Sequence, residues 1–382
     1  MIYFDNAATS GKKPQQVVNA VSSALKNMSA NPGRGGYQTS KDCSEMIYGC
    51  RKKAAKFFGC ENEMNVIFTA NCTTALNFVM KGILKRGDHC IISSFEHNAV
   101  TRPAAALAKT GVEFDVAELI PGDDGANVRA FQRLIKSNTR LAVCTHASNV
   151  TGDVFPIAAI GEMCAAHGIL FAVDAAQTAG VLPIDMARDN IDFLCVAPHK
   201  GLYAPMGTGM LISRKPIPRT LIEGGTGSES IKQDQPLDPP ERFESGTVNV
   251  PGIAGISAGI DFVESYGLTK LYNHEISLAG RFYDGLSRVG GARVYSSHPK
   301  DSKHVPTISF NLSRISSEET AAMLAQRNIA TRAGLHCAPY AHKRIGTLDG
   351  GTVRVCFSAF NTVGEVDYAL RTLGQISKVK RR

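Results

Sequence analysis

The stretch FLCVAPHKGLYAPMGTGMLI, residues 193–212, delivers His199 and Lys200 side by side at the end of an apolar run that reads as a buried strand. A lysine at the mouth of such a strand is costly unless it is paired, neutral or covalently used; otherwise it is simply a solvated side chain just past the strand end. Other apolar runs end on residues that can do chemistry. FAVDAAQTAG closes with Asp174 and sets Gln177 three residues on, ANCTTALNF places Thr73 and Thr74 at a helix start, SSFEHNAV carries His97, and THASNVTG carries Asn149. A carboxylate at a buried strand end needs a cation or hydrogen-bond donors, and hydroxyls beside free backbone N–H groups at a helix start can hold a phosphate. Taken singly, Asp174 and the two threonines read equally well as helix N-caps.

These residues need a frame that brings strand ends together. Between residues 64 and 211 short β-rich runs at 65–69, 89–94, 112–117, 141–147, 169–175, 192–197 and 209–213 alternate with helical patterns at 73–85, 98–110, 126–136 and 156–166. Such alternation predicts an α/β unit with a mainly parallel seven-stranded sheet and helices on both faces, in which ligands bind beyond the carboxyl ends of the strands. Residues 223–247 are rich in Gly, Pro and polar side chains and read as a long functional loop. One or two helices over 250–289, strands at 307–312 and 352–358, and helices from 317 and 363 predict a smaller α+β C-terminal domain. The expected division is 13–261 for the large domain, with 1–12 and 262–382 forming the small one.

Composition narrows the classes. With 382 residues, 43% apolar and 20% charged, the chain has the balance of a folded globular protein. No apolar run reaches the roughly 18 residues needed to span a bilayer, and the start MIYFDNAATS lacks a secretory pattern, so the expected location is the cytoplasm, with no membrane partner. Ten cysteines without a C-x-x-C pair, and no histidines at zinc spacing, predict no metal site; Cys90, Cys144 and Cys195 read as small buried hydrophobes. The net charge of +8 owes part to the tail KVKRR, but without a recognisable motif nucleic-acid binding is not expected as the primary function. Gly252, Gly255 and Gly259 do not form the strand-turn-helix G-x-G-x-x-G, which disfavours a nicotinamide site.

In this order the His-Lys pair, the Asp-x-x-Gln step and the Thr-Thr pair resemble the class V aminotransferase superfamily of pyridoxal phosphate (PLP) enzymes, fold type I. Within it the chain is similar to the cysteine desulfurase and selenocysteine lyase family of the NifS and SufS-like group, from YFDNAAT to RVCFSAFNT. The resemblance implies that Lys200 bonds covalently to the cofactor aldehyde and then moves the substrate α-proton. It further implies that Asp174 pairs with the pyridine nitrogen, His97 stacks on the ring, Gln177 meets its phenolate oxygen, and Asn149 adds a cofactor contact. Thr73, Thr74 and His199 would form the phosphate cup, and Thr247 would reach the phosphate of a neighbouring subunit, which implies a homodimer with shared active sites. The serine common in the family two residues before the His-Lys pair is Ala197 here, so one phosphate hydroxyl is missing.

On the substrate side the resemblance implies Asn6, Arg332 and Arg354, the last gripping the substrate carboxylate as a two-pronged fork. Cys337, in TRAGLHCAP, would be the nucleophile that takes sulfur; a loop-borne cysteine beside His336 and near Arg332 sits in an electropositive setting that favours the thiolate. The short Cys-to-Arg spacing resembles the SufS-like group, with a compact cysteine loop. The expected activity is conversion of L-cysteine to L-alanine, with sulfur held as a persulfide on Cys337 for a sulfur-acceptor protein. L-Selenocysteine, a cysteine sulfinate desulfinase reaction, another class V reaction such as transamination, and a noncatalytic sulfur carrier are the alternatives.

Overall fold

The computed structural model describes residues 1–33, 35–300 and 303–378. The last four residues of the basic tail, 379–382, lie outside them. The seven apolar runs of the first half form one sheet in the spatial order Val66–Thr69, Gly209–Ser213, Phe193–Val196, Leu170–Asp174, Thr139–Thr145, His89–Ser93 and Glu113–Ala117. Gly209–Ser213 runs antiparallel to both its neighbours, and every other pairing is parallel. The central strands are buried along their length apart from Leu170, which is half-buried, and this is why they read as continuous apolar runs rather than as alternating ones. One antiparallel strand flanked by parallel partners leaves the carboxyl ends of Val66–Thr69, Phe193–Val196, Leu170–Asp174, Thr139–Thr145 and His89–Ser93 on one edge.

The helices differ from the expected spans by a few residues, each for a local reason. The helix after the first strand is Cys72–Ile83, beginning one residue early because Asn71 Oδ1 accepts from Thr74 N at 2.9 Å and so fixes Asn71 as the cap. His97 caps Asn98–Ala108 through its Nδ1, which accepts from Ala99 N at 3.0 Å. The helix expected at 126–136 is Asp124–Gln132, capped by Asp123. No helix follows Asp174 directly, so the N-cap role does not apply to it. Two helices not expected from the sequence, Gln15–Asn27 and Gln38–Phe58, pack on Val250–Tyr266. The loop at 223–247 contains no helix or strand.

The 250–289 segment is two helices, Val250–Tyr266 and Leu268–Leu286, separated at Gly267 with φ +91°. Asp261, near which the expected boundary lies, is inside the first of them. A second sheet follows, antiparallel, in the order Arg332–Gly334, Thr352–Cys356, Thr307–Leu312 and Ala292–Val294. The N-terminal strand Ile2–Tyr3 pairs in parallel with Ile329–Ala330, and Asp5 bridges to Cys356. Two buried clusters fill the two faces of the large sheet, and a third, built on Phe4, Phe282, Phe310 and Phe357, fills the space behind the second.

Gly259 shows what the helical glycines do. A Cβ there would sit 1.9 Å from the Leu202 carbonyl, so the helix Val250–Tyr266 can lie against the loop that follows Lys200 only without a side chain at this position.

Candidate active site

The carboxyl edge of the large sheet opens into a cavity of about 200 Å³ lined by Asn71, Cys72, Thr73, His97, Asn149, Asp174, Gln177, Ala197, His199 and Lys200, with Ala8 and Thr145 among the remaining walls. Each functional side chain is positioned by a short connection. The strand Phe193–Val196 stops at Ala197, and Lys200 follows in a tight turn whose carbonyl accepts from Tyr203 N at 3.0 Å. No group among the described residues accepts a hydrogen bond from Lys200 Nζ, and burial pushes its pKa down although Asp174 and the Cys72 thiol pull it up. Burial thus favours the neutral, nucleophilic form of that amine, while Asp174 favours the ammonium.

Asp174 ends the next strand. Its Oδ1 accepts from Ala176 N at 2.9 Å and from the Cys72 thiol at 3.6 Å, so one oxygen is doubly held and the carboxylate is fixed in orientation. His97 is pushed down to about 4 by burial and by the cations Lys200, Arg354 and Arg102, against the pull of Asp174. Because its Nδ1 accepts from Ala99 N, the neutral ring carries its proton on Nε2. Gln177 Nε2 donates to Ala7 O at 3.1 Å. His199 is also held neutral by burial, at about 4, with Nδ1 3.1 Å from Thr9 Oγ1.

Two carboxyl groups close to these residues behave as neutral acids. Glu96, directly before His97, is fully buried and pushed up to about 8 by desolvation; its Oε1 accepts from Ser93 Oγ and Thr145 N, both at 2.6 Å, and its Oε2 has no partner among the described residues. Glu275 is likewise pushed up to about 8 by burial.

The cysteine loop closes the site from the second sheet. Asn149 Nδ2 donates to the His336 carbonyl at 2.7 Å, and Asn98 N donates to the Cys337 carbonyl at 2.7 Å. These two bonds hold consecutive left-handed residues, His336 at φ +48° and Cys337 at φ +56°, a conformation that costs about 1 kcal/mol or more per non-glycine residue. Of the ten cysteines Cys337 alone is exposed; Cys90, Cys144, Cys195 and the other six are buried. His336 is pushed to about 2 by burial and by Arg354, so its imidazole is neutral.

Arg354 is 2% exposed, with Nη2 2.9 Å from Asp5 Oδ1, Nη1 donating to Asn149 O at 2.9 Å, and Nε without a partner among the described residues. Its strand partner in register is Arg332, which is exposed. Asp5 therefore offsets two like charges placed directly opposite each other.

Not every expected residue joins the cavity. Thr73 lines it, whereas Thr74 turns its hydroxyl to Asn71 Oδ1 at 3.1 Å and lines a different hollow with Phe78, Gly207 and Thr247. Thr247 is exposed on its loop and does not reach the Lys200 cavity within one chain. Asn6 spends its amide on Tyr3 O, Cys356 O and Asn361 Oδ1 while its Oδ1 accepts from Gly11 N, so it ties the N-terminal segment to the second sheet. Sequence reasoning missed Cys72 and Thr145 on the walls, and Asp5 as the partner of Arg354. Cys72 and Asp5 stood inside motifs already singled out, ANCTTALNF and YFDNAAT.

The titrations make one measurable prediction. His97, His146, His199, His336 and His342 are held below the ordinary histidine value by burial. The unfolded chain therefore binds more protons than the folded one between about pH 4 and 6.5, and stability rises with pH there. Glu96 and Glu275 are raised, so the folded chain binds more protons between about pH 4.5 and 8, and stability falls with pH there. The histidines outnumber the acids in the overlap, which places the highest melting temperature near pH 6.5. Calorimetry on the cofactor-free protein from pH 4 to 9 checks this; a melting temperature still climbing between pH 7 and 8.5 would contradict neutral acids at 96 and 275.

Comparison with known proteins gives one consistent result. Residues 2–369 match the pattern of the class V aminotransferases. A probable cysteine desulfurase of Pyrococcus abyssi is 33% identical over 100% of this chain and 95% of its own length. One from Methanothermobacter thermautotrophicus is 30% identical over 98% and 94%. Among solved structures, the apo cysteine desulfurase of Thermococcus onnurineus superposes with a TM-score of 0.87 at 32% identity, covering 99% of this chain and 94% of that one. An Escherichia coli cysteine desulfurase carrying an S-sulfonic acid gives 0.86 at 26% identity, covering 98% and 94%. Among the described residues no helix is long and apolar enough to cross a membrane, and no group of three or more His, Cys, Asp or Glu residues could hold a metal ion.

Proposed function

The chain belongs to the class V aminotransferase family, and on that premise we propose that it works as a PLP-dependent cysteine desulfurase that converts L-cysteine to L-alanine and keeps the sulfur on Cys337. The observation that carries this reading is the pairing of a thiol-independent half with a thiol-dependent one: a cavity with a lysine amine that has no hydrogen-bond partner among the described residues and a doubly held aspartate, and an exposed cysteine clamped beside it through Asn98 and Asn149.

The donor set of the cavity suits PLP. Among the described residues Lys200 Nζ is uncommitted and one oxygen of Asp174 is held by backbone and thiol donors while the other makes no hydrogen bond, and Thr73 stands in the first turn of a helix whose N-terminus attracts anions. Lys200 would hold the aldehyde, Asp174 the ring nitrogen, Gln177 the phenolate oxygen, and Thr73 with His199 the phosphate, helped by Thr247 of a second subunit. When bound, PLP supplies a protonated ring that takes up the electron pair left when the α-proton departs. Ala197 is 3% exposed in the same wall and contributes no hydroxyl.

The chain's own residues do the rest. Arg354, oriented by Asp5 and by the Asn149 carbonyl, grips the substrate carboxylate. Lys200 Nζ, whose charge burial disfavours, removes the α-proton and later returns a proton to carbon. Neutral His97 offers Nε2–H to the reacting groups. Cys337 Sγ, as thiolate, attacks the substrate sulfur: a sulfur–sulfur bond forms, the carbon–sulfur bond breaks, and a proton takes the place of sulfur on the β-carbon, so that RSH plus the enzyme thiolate gives RH plus the enzyme persulfide anion. An acceptor protein in the cytoplasm then receives the sulfur from the exposed loop, and the working unit is a homodimer with shared sites.

The test is direct. Purified protein loaded with PLP, given L-cysteine and a reducing thiol, is expected to release alanine and sulfide in equal amounts. Pyruvate in place of alanine, or sulfide release by PLP alone at the same rate, would remove the assignment. Running L-selenocysteine in parallel compares kcat/KM for sulfur and selenium.

A further inference from the structure

Lys200 and Gln177, which line the cofactor cavity, also line a second and smaller cavity of about 30 Å³. Lys200 lines it together with Ser10, Tyr203, Glu275, Thr307 and Ser358, and Cys356 completes its titratable groups. It is large enough for one or two water molecules, and its walls are polar enough to hold them. Glu275 is 5% exposed, Ser10 4%, Ser358 6% and Thr307 0%. The buried hydroxyl of Thr307 makes no hydrogen bond of ordinary geometry among the described residues. Glu275 Oε1 accepts from Tyr203 Oη at 3.0 Å, and Tyr203 Oη accepts from Ala359 N at 3.2 Å. Tyr203 itself stands in the left-handed region at φ +55°, in the turn that starts at Lys200.

A carboxyl buried with no cation beside it is a poor anion, and desolvation pushes Glu275 up to about 8, so it rests as the neutral acid near pH 7. The main reaction does not use it, yet it shares a wet-sized cavity with the one amine that must act alternately as base and as acid. The desulfurase reaction also demands more than a single proton shuttle. Replacing a C–S bond by a C–H bond needs a second proton besides the one taken from the α-carbon.

We propose that Glu275 is the proton reserve of Lys200, giving a proton through water in this cavity to the lysine amine and recovering one before the next turnover. In the outward step the Glu275 O–H bond breaks, its proton passes to water, and a proton of that water binds the lone pair of Lys200 Nζ. Lys200 then delivers it to the β-carbon. The proton lost by the substrate thiol when sulfur moves to Cys337 refills Glu275, so charge and protons balance over the cycle and no electrons are exchanged. Glu275 acts through Lys200 and touches neither substrate nor cofactor.

This inference rests on the desulfurase reading, and the experiments separate the two. Glu275→Gln still accepts from Tyr203 but cannot give up a proton. In the PLP-loaded enzyme it is expected to lower kcat about tenfold or more, with KM within about twofold and the melting temperature within a few degrees. Glu275→Asp, which restores an acid on the same wall, is expected to recover most of the loss. With α-deuterated L-cysteine, wild type should yield alanine that has lost most of the label to solvent, whereas Glu275→Gln should retain more. Infrared spectra of the protein without substrate should show a protonated carboxyl band that Glu275→Gln removes. Wild-type kcat in Glu275→Gln, full label retention in wild type, or no band difference overturns the proposal; a wild type that makes no alanine overturns the desulfurase reading instead.

Discussion

Lys200→Ala is expected to abolish alanine formation, by about 10⁴-fold or more, while the protein stays as stable as wild type or becomes slightly more so. The first half follows from asking one amine to hold the cofactor and to move the α-proton, the second role alone being worth about 10²–10⁴-fold. The second half follows from what the side chain leaves behind. Lys200 Nζ is bonded to no group among the described residues, and burial already disfavours its charge, so truncation removes no hydrogen bond and relieves a desolvated amine. The neighbouring turn keeps its backbone bonds, Lys200 N to Ala197 O at 3.1 Å and Tyr203 N to Lys200 O at 3.0 Å. Steady-state kinetics with a thermal melt of the same preparation measure both. Retained turnover would move the chemistry to another amine; a melting temperature lowered by ten degrees would mean that the lysine is a structural member of the core.

Cys337→Ala separates the two halves of the chemistry. The thiol is on the surface and the backbone there is pinned through its carbonyl, so alanine inherits the same φ of +56° and the same bond from Asn98. Lys200, Asp174 and Arg354 are untouched. Cysteine should therefore bind with little change in affinity, seen by titration calorimetry, while alanine production falls on the order of 100-fold or more because the substrate sulfur meets no nucleophile. With L-selenocysteine, whose selenium leaves carbon more readily, a substantial residual rate is expected from the same protein. One variant with two substrates cancels any error from misfolding. Undiminished alanine production from L-cysteine would show that sulfur leaves without help from Cys337.

Four of the residues legible in the sequence share one property: each lies at or just beyond the carboxyl end of a strand whose burial makes it a continuous apolar run. Asp174, His97, Asn149 and Lys200 follow the four adjacent strands Leu170–Asp174, His89–Ser93, Thr139–Thr145 and Phe193–Val196, so parallel order alone brings them to one edge. Thr74 was less legible because its direction depends on helix phase. Once Asn71 is the cap, a one-residue step turns a side chain by about 100°, and Thr73 faces the cavity while Thr74 does not. Helix Gln38–Phe58 escaped notice because its buried positions are largely small or polar, among them Ser40, Cys43, Cys50, Arg51, Ala54 and Ala55. Arg51 is buried only because Glu244, 193 residues away, pairs with it. Glu96 and Glu275 look like ordinary charged residues in the sequence; what makes them neutral acids is the packing of distant segments over them, which local pattern does not encode.

The seating of the N-terminal segment has a consequence for how the protein is made. Ile2 and Tyr3 find their strand partners at Ile329 and Ala330, and Asn6 finds its carbonyl at Cys356, 350 residues further along. Asp5, which orients Arg354, waits for the same stretch. The large sheet, whose strands all lie between residues 66 and 213, has every partner it needs long before those residues leave the ribosome. During synthesis the lysine pocket can therefore take shape first, on a chain whose earliest residues still hang free. The grip on an amino acid's carboxylate arrives last, when the newest part of the chain meets the oldest.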